Sequence, residues 1–245
     1  MLGGQVVDTE SAKDFMKEAL TNIDPGELDK VSEALAEKSR RFKERIGNVS
    51  VHPLEDSELQ PVLRNIFSVR RQADGLLEKS KGQLGGWIAE LLHGSDSPER
   101  RFETFCGKLS PLIAEPLRHD FASELMHFVE PEKFWLWTRW MWDANAQTGA
   151  LPLVIVEGVE LEADSLGESY LRVGEAVTFV RLVGMSAGFT RIGRGPYGVY
   201  VYLACVYAVY VYTTLRLRMT QEFNKVVPQF PDLIRRLLGV HRLEV

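Results

Sequence analysis

Apolar residues recur at helical spacing along most of this chain, and the breaks between the runs carry capping chemistry. Phe15, Met16, Ala19, Leu20 and Ile23 mark a first amphipathic helix, with Asp8 or Thr9 able to cap it. Asp24-Pro25-Gly26-Glu27 then reads as a capping box with Pro in the first helical position. The stripe behind it is Leu28, Val31, Leu35, Phe42 and Ile46, and Gly47 closes the helix. A loop around Pro53 follows and suggests a boundary: residues 1–50 as a helical pair or arm, residues 51–245 as the main helical domain.

Helix resumes near Ser57 and is expected to continue through Leu63, Ile66, Phe67, Leu76 and Leu77. A shorter helix carries Trp87, Ile88, Leu91 and Leu92 up to Gly94. Ser97-Pro98 and Ser110-Pro111 both look like helix starts, and Glu130-Pro131 looks like an end. A further helix is expected from about Gly167 to Val183, and a glycine-rich loop from Gly184 to Gly198. Strand character is confined to residues 151–161, where Val154-Ile155-Val156 and Val159-Glu160-Leu161 flank a Glu157-Gly158 turn. The pattern predicts a mainly α fold: a multi-helix bundle with one small β-hairpin and an N-terminal helical arm.

Two stretches depart from ordinary bundle sequence. Residues 197–215 hold no charge in nineteen positions and six of the chain's seven tyrosines, and no Gly, Pro, Asn or Asp interrupts residues 199–222. A strand of that length is improbable, so one long helix is expected, with Tyr200, Leu203, Tyr207, Tyr210, Thr214 and Leu217 at helical spacing. Three roles suit it: central core helix, helix at a dimer or partner interface, or membrane-contacting helix. Phenolic hydroxyls and arginines at both ends (Arg191, Arg194, Arg216 and Arg218) argue against a span. The second stretch packs Trp135, Trp137, Trp140 and Trp142 into eight residues around Arg139. As a helix it would spread indoles over more than one face, which suits either a deeply buried element or an aromatic-walled partner or ligand site.

Charge adds an asymmetry. The chain carries a net −5, which disfavours nucleic acid as a partner. Residues 171–245, however, hold ten Lys and Arg against four Asp and Glu, so an acidic front joins a basic, apolar back. That back includes Phe230, Leu233, Ile234, Leu237 and Leu238 beside Arg235 and Arg236, a closing core helix or a basic amphipathic tail. Only two cysteines, Cys106 and Cys205, are present, which excludes a disulfide framework and Cys-rich metal sites. Residues 1–5 lack a basic run and an apolar core, so no secretory signal is expected there, and a cytoplasmic location follows.

Catalytic signals are sparse. Glu90-Leu91-Leu92-His93 and Glu124-Leu125-Met126-His127 each place a carboxylate and an imidazole on one helix face, the pairing that di-metal carboxylate sites use. Glu103 and Glu115 could supplement them. His93 also sits in the last turn before Gly94, where the helix dipole favours a cation without any metal. His119-Asp120 could orient an imidazole, and Gly193-Arg194-Gly195 could offer backbone amides to an anion. No nucleophile motif accompanies them, and no cofactor is expected.

Residues 135–154 (WLWTRWMWDANAQTGALPLV) and residues 188–239 (GFTRIGRGPYGVYVYLACVYAVYVYTTLRLRMTQEFNKVVPQFPDLIRRLLG) resemble conserved proteins of sulfur-oxidising bacteria that accompany heterodisulfide-reductase-like subunits. The resemblance covers about 70 residues. It implies an accessory protein of cytoplasmic sulfur oxidation, attached to a membrane-associated redox complex, and it implies no residue roles. The chain lacks the cysteine sets by which such reductases hold clusters. The expectation is a non-catalytic accessory protein that docks a partner or an apolar ligand through Trp135, Trp137, Arg139, Trp140, Trp142, Tyr200, Tyr207 and Tyr210. A protein partner is expected first. Lipid or another apolar small molecule, a peripheral membrane surface and a second copy of the chain are the other partners such a surface suits. A carboxylate–histidine di-metal enzyme and a peripheral membrane protein are the alternative functions.

Overall fold

The computed structural model describes residues 6–48, 54–186, 195–218, 228–241 and 243, with the side chains of residues 215–218 excepted. Ten α-helices form the bundle and no strand occurs among the described residues. The N-terminal pair follows its caps. Asp8 accepts the N–H groups of Glu10 and Ser11, each at 3.1 Å, and opens α1 (Thr9–Asn22). Asp24 accepts from Gly26 N at 2.6 Å and opens α2 (Pro25–Ile46). The reciprocal half of the expected capping box is missing, because the Glu27 carboxylate turns to Lys30 and Arg235. The stripe Leu28, Val31, Leu35, Phe42 and Ile46 is buried throughout.

Two helix boundaries differ from the pattern. The run expected from Ser57 to Leu77 splits into α3 (Asp56–Arg64) and α4 (Ala73–Ser80). The Asn65 amide donates to Pro61 O at 2.8 Å, taking a carbonyl that a continuing helix would use. Past α5 (Leu84–His93) and α6 (Pro98–Leu109), Ser110-Pro111 opens no helix. Turn bonds from Leu112 N and Ile113 N to Leu109 O bury Ile113 instead, and α7 (Glu115–Val129) starts four residues later with Pro116 in its first turn.

The expected β-hairpin is absent. Leu151–Leu153 form a short 3-10 turn, and Val7 and Ile155 meet in a single antiparallel bridge. Asp8 N bonds Val154 O and Val156 N bonds Val6 O, both at 2.9 Å. The N-terminal residues thus take the hydrogen bonds a second hairpin strand would have made, and Val154, Ile155 and Leu161 bury against helices. An isolated two-stranded ribbon has little stability of its own, so this pairing prevails.

Residues 198–215 fall in α9 (Gly198–Arg218), which follows α8 (Leu166–Ser186) and packs against α1, α2, α8 and α10 (Phe230–Leu237). Val199 to Val206 are buried without a break. The phenols are satisfied inside: Tyr202 donates to Ala12 O, and Tyr200 accepts from Leu136 N, both at 3.0 Å. α9 is therefore the central helix of the core. No helix among the described residues is long and apolar enough to cross a membrane.

The packing of α8 depends on one glycine. A Cβ at Gly174 would stand 2.2 Å from the Trp135 indole, which is itself anchored by a 3.0 Å bond from Nε1 to Thr178 Oγ1. Gly174→Ala is expected to lower unfolding stability by about 1–3 kcal/mol despite the better helix propensity of Ala, as overpacking does. Urea denaturation of the two proteins measures it, and an unchanged or raised midpoint would show that the indole can move aside.

Candidate functional site

The tryptophan segment is not helical. After α7 ends at Val129, residues 135–138 form no regular secondary structure and residues 139–141 turn. An irregular chain among helices has backbone groups that no helix or ladder partner meets, and buried orphans are costly. Here side chains meet them. His127 Nδ1 bonds Phe134 O at 2.8 Å, Ser123 Oγ donates to Trp137 O at 2.6 Å, and Asp120 Oδ1 accepts Arg139 N at 2.9 Å. All three come from α7, at positions that share one helical face. Tyr170 of α8 brackets Trp135, accepting from its N at 3.0 Å and donating to its O at 3.1 Å. Tyr200 of α9 holds Leu136 N.

This arrangement divides the candidate residues. Trp137 is buried, stacked on His119 with ring centroids 4.4 Å apart, and its Nε1 donates to Trp142 O at 3.0 Å. Trp142 and Tyr200 are also core, and Trp135 lies over Gly174. Arg139, Trp140 and Tyr207 line one cleft, and Tyr210 touches that group only through Tyr207, at 6.0 Å between centroids. Four of the eight candidates thus serve packing, because the irregular backbone turns Trp137 and Trp142 inward where a helix would have spread the indoles round its axis.

The cleft has a volume of about 490 Å³. Thr138, Arg139, Trp140 and Asp143 line it together with Asp120 and Glu124 of α7, Tyr207 of α9, Leu233, Arg236 and Leu237 of α10, and Phe67, Arg70 and Arg71. Sequence reasoning had singled out Arg236 with its basic tail, and Asp120 and Glu124 for acid–base or metal chemistry. Phe67 reads from the sequence only as an apolar helix position, and Thr138, Arg70 and Arg71 carry no signal, since nothing local distinguishes residues that only tertiary packing brings to a cleft.

Every carboxylate on the cleft is held from within. Asp120 Oδ2 accepts Arg139 Nε at 3.0 Å, and His119 Nε2 lies 3.1 Å from Oδ1. Glu124 bonds Lys38 Nζ of α2 at 2.8 Å, both side chains buried, and burial pushes the carboxyl pKa up against the pull of Lys38. Asp143 Oδ1 accepts Asn145 N and Ala146 N at 3.0 and 3.2 Å. Arg71 and Arg236 make no ion pair among the described residues, and Arg70 lies over the Phe67 ring at 4.8 Å. The Thr138 hydroxyl and Trp140 Nε1 are buried without a hydrogen-bond partner among the described residues.

The two Glu-x-x-His pairs do not assemble into a metal centre. No group of three or more His, Cys, Asp and Glu suited to a metal ion occurs among the described residues. Glu90 pairs with Lys108, Glu124 with Lys38, and His127 with a backbone carbonyl. Both cysteines are buried and free, and burial raises the Cys205 thiol to about 12 and Cys106 further, far from reactive thiolates. Arg235 pairs with Glu27 at 3.4 Å. Arg191, Arg194 and Gly193 lie outside the described residues, as do the side chains of Arg216 and Arg218.

No family model, no curated protein and no solved structure matches the chain.

The His127 bond makes a pH prediction. Burial, aided by Lys38, lowers its pKa to about 4, so the neutral ring donates to Phe134 O at pH 7. The unfolded ring binds a proton below about 6.5 and the folded one resists until about 4, so stability falls as pH drops through that window. Between pH 7 and 4.5 the wild type should lose about 2–3 kcal/mol more than His127→Gln, whose amide keeps a donor but does not titrate. Urea titrations at the two pH values measure the difference, and parallel losses in both proteins would contradict it.

Proposed function

We propose that the protein is a non-catalytic accessory protein that docks a ligand in the cleft between the tryptophan segment, α9 and α10. The observation that carries this reading is the convergence of Arg139, Trp140 and Tyr207 with Arg236 and Leu237 on one cavity of about 490 Å³, within the range of small-molecule sites. Arginine and aromatic side chains are the residues that dominate recognition surfaces. The carboxylates that could act as acid or base there are already bonded internally, Asp120 to Arg139 and Glu124 to Lys38, which favours binding over catalysis. For the setting, the resemblance of residues 135–154 and 188–239 supports a role beside heterodisulfide-reductase-like subunits in cytoplasmic sulfur oxidation. That part of the proposal rests on the resemblance and not on the cleft.

Native mass spectrometry of gently purified chain tests the docking. The wild type is expected to carry a discrete extra mass, and the double variant Trp140→Ala/Tyr207→Ala is expected to show the bare chain. Both residues are partly exposed, so the double variant should remain folded by circular dichroism. Bare chain from the wild type, or the same adduct on both proteins, would overturn the assignment of this cleft.

A further inference from the structure

We infer that the cleft takes an oxyanion borne on a flat apolar body: a carboxylate or phosphate group on an aromatic or similarly planar small molecule. The inference rests on the docking reading above and names the class of ligand for that cleft.

Charge decides the first half. The acids around the cavity are neutralised or hydrogen-bonded by the protein itself, whereas Arg71 and Arg236 have no ion pair among the described residues. Arg139 uses Nε on Asp120, which fixes the guanidinium at the cleft wall, and its terminal nitrogens make no hydrogen bond among the described residues. Guanidinium groups bind carboxylate and phosphate through paired N–H bonds, and they repel a cation.

Unmet hydrogen-bonding groups point the same way. Thr138 is 7% exposed, lines the cleft, and leaves its hydroxyl without a partner. Trp140 lines it too, and its buried Nε1 has none. An indole N–H is a donor only, so an acceptor is what it lacks, and a hydroxyl can donate to the same group. Buried polar atoms left unpaired are rare in native folds, and each calls for a partner from water or from a ligand. An oxyanion seated against this wall brings acceptors that a neutral hydrocarbon lacks.

Shape decides the second half. Trp140 and Tyr207 stand with ring centroids 6.3 Å apart, and Leu233 and Leu237 of α10 face the same cavity. Aromatic walls with aliphatic residues favour a planar body over a highly hydrated one.

Four probes separate the terms: 1-naphthoate, 1-naphthyl phosphate, 1-naphthalenemethanol and inorganic phosphate. The readout is the indole N–H spectrum of ¹⁵N-labelled protein, with the Trp140 signal assigned by its loss in Trp140→Phe. Both naphthyl anions are expected to shift that signal and to bind at least about tenfold more tightly than the alcohol, the gain of a charge-assisted pair. Arg236→Gln should weaken the anions severalfold and leave the alcohol unchanged. Equal affinity for alcohol and anions would overturn the oxyanion assignment while leaving the docking reading intact. Inorganic phosphate binding as tightly as naphthyl phosphate would overturn the planar body. No Trp140 shift with any probe would overturn the inference altogether, and the native-mass measurement would still judge docking separately.

Discussion

An irregular stretch of backbone through the middle of a helical protein needs partners that helices cannot offer, because a helix keeps its own N–H and C=O groups. The segment at residues 134–139 obtains them from side chains, three from α7 and one each from α8 and α9. Each bond contributes modestly, about 1 kcal/mol net, but an unpaired buried group costs more than that. The arrangement therefore acts as a set. It explains why α7 is buried on nearly every side yet carries Asp120, Ser123 and His127. Residues that look like a catalytic or metal-binding stripe are the structural partners of a neighbouring backbone.

The Lys38–Glu124 pair extends the same device to α2. Both side chains are buried, the ammonium lies 4.1 Å from the Phe128 ring centre, and a Cβ at Gly239 would stand 2.9 Å from Nζ. Gly239, at φ +67, thus gives the closing segment both the turn and the clearance to cover the pair. A buried pair adds little stability over an apolar one, but losing either member strands a charge at a cost of about 3–5 kcal/mol. Its effect here is to fix how α2, α7 and the C-terminal segment meet, and hence where α10 stands across the cleft.

The cleft is a by-product of these constraints. Asp120 binds Arg139 at both backbone and guanidinium, so the chain turns outward just where Trp140 begins. That turn separates inward Trp137 from cleft-lining Trp140, although the two are three residues apart. The wall so formed faces α10, whose apolar side enters the core through Phe230 and Ile234 while Arg236 remains exposed.

The sequence by itself determined the helical class, the caps at Asp8 and Asp24, the start of α6 after Ser97, and the buried stripe of α2, since local spacing and capping act within a few residues. It also marked Trp137, Arg139, Trp140 and Tyr207 as unusual, and correctly assigned α9 as one uninterrupted helix. The hairpin at residues 151–161 failed because Val6 and Asp8, distant in sequence, occupied the hydrogen bonds a local strand would have used. The helical reading of the tryptophan segment failed for a related reason. Side chains of α7, α8 and α9 satisfy an irregular backbone there, and no local pattern encodes partners up to 64 residues away. Which of eight aromatic and basic candidates reach the cleft was likewise decided by tertiary structure, because burial follows from how separate helices pack.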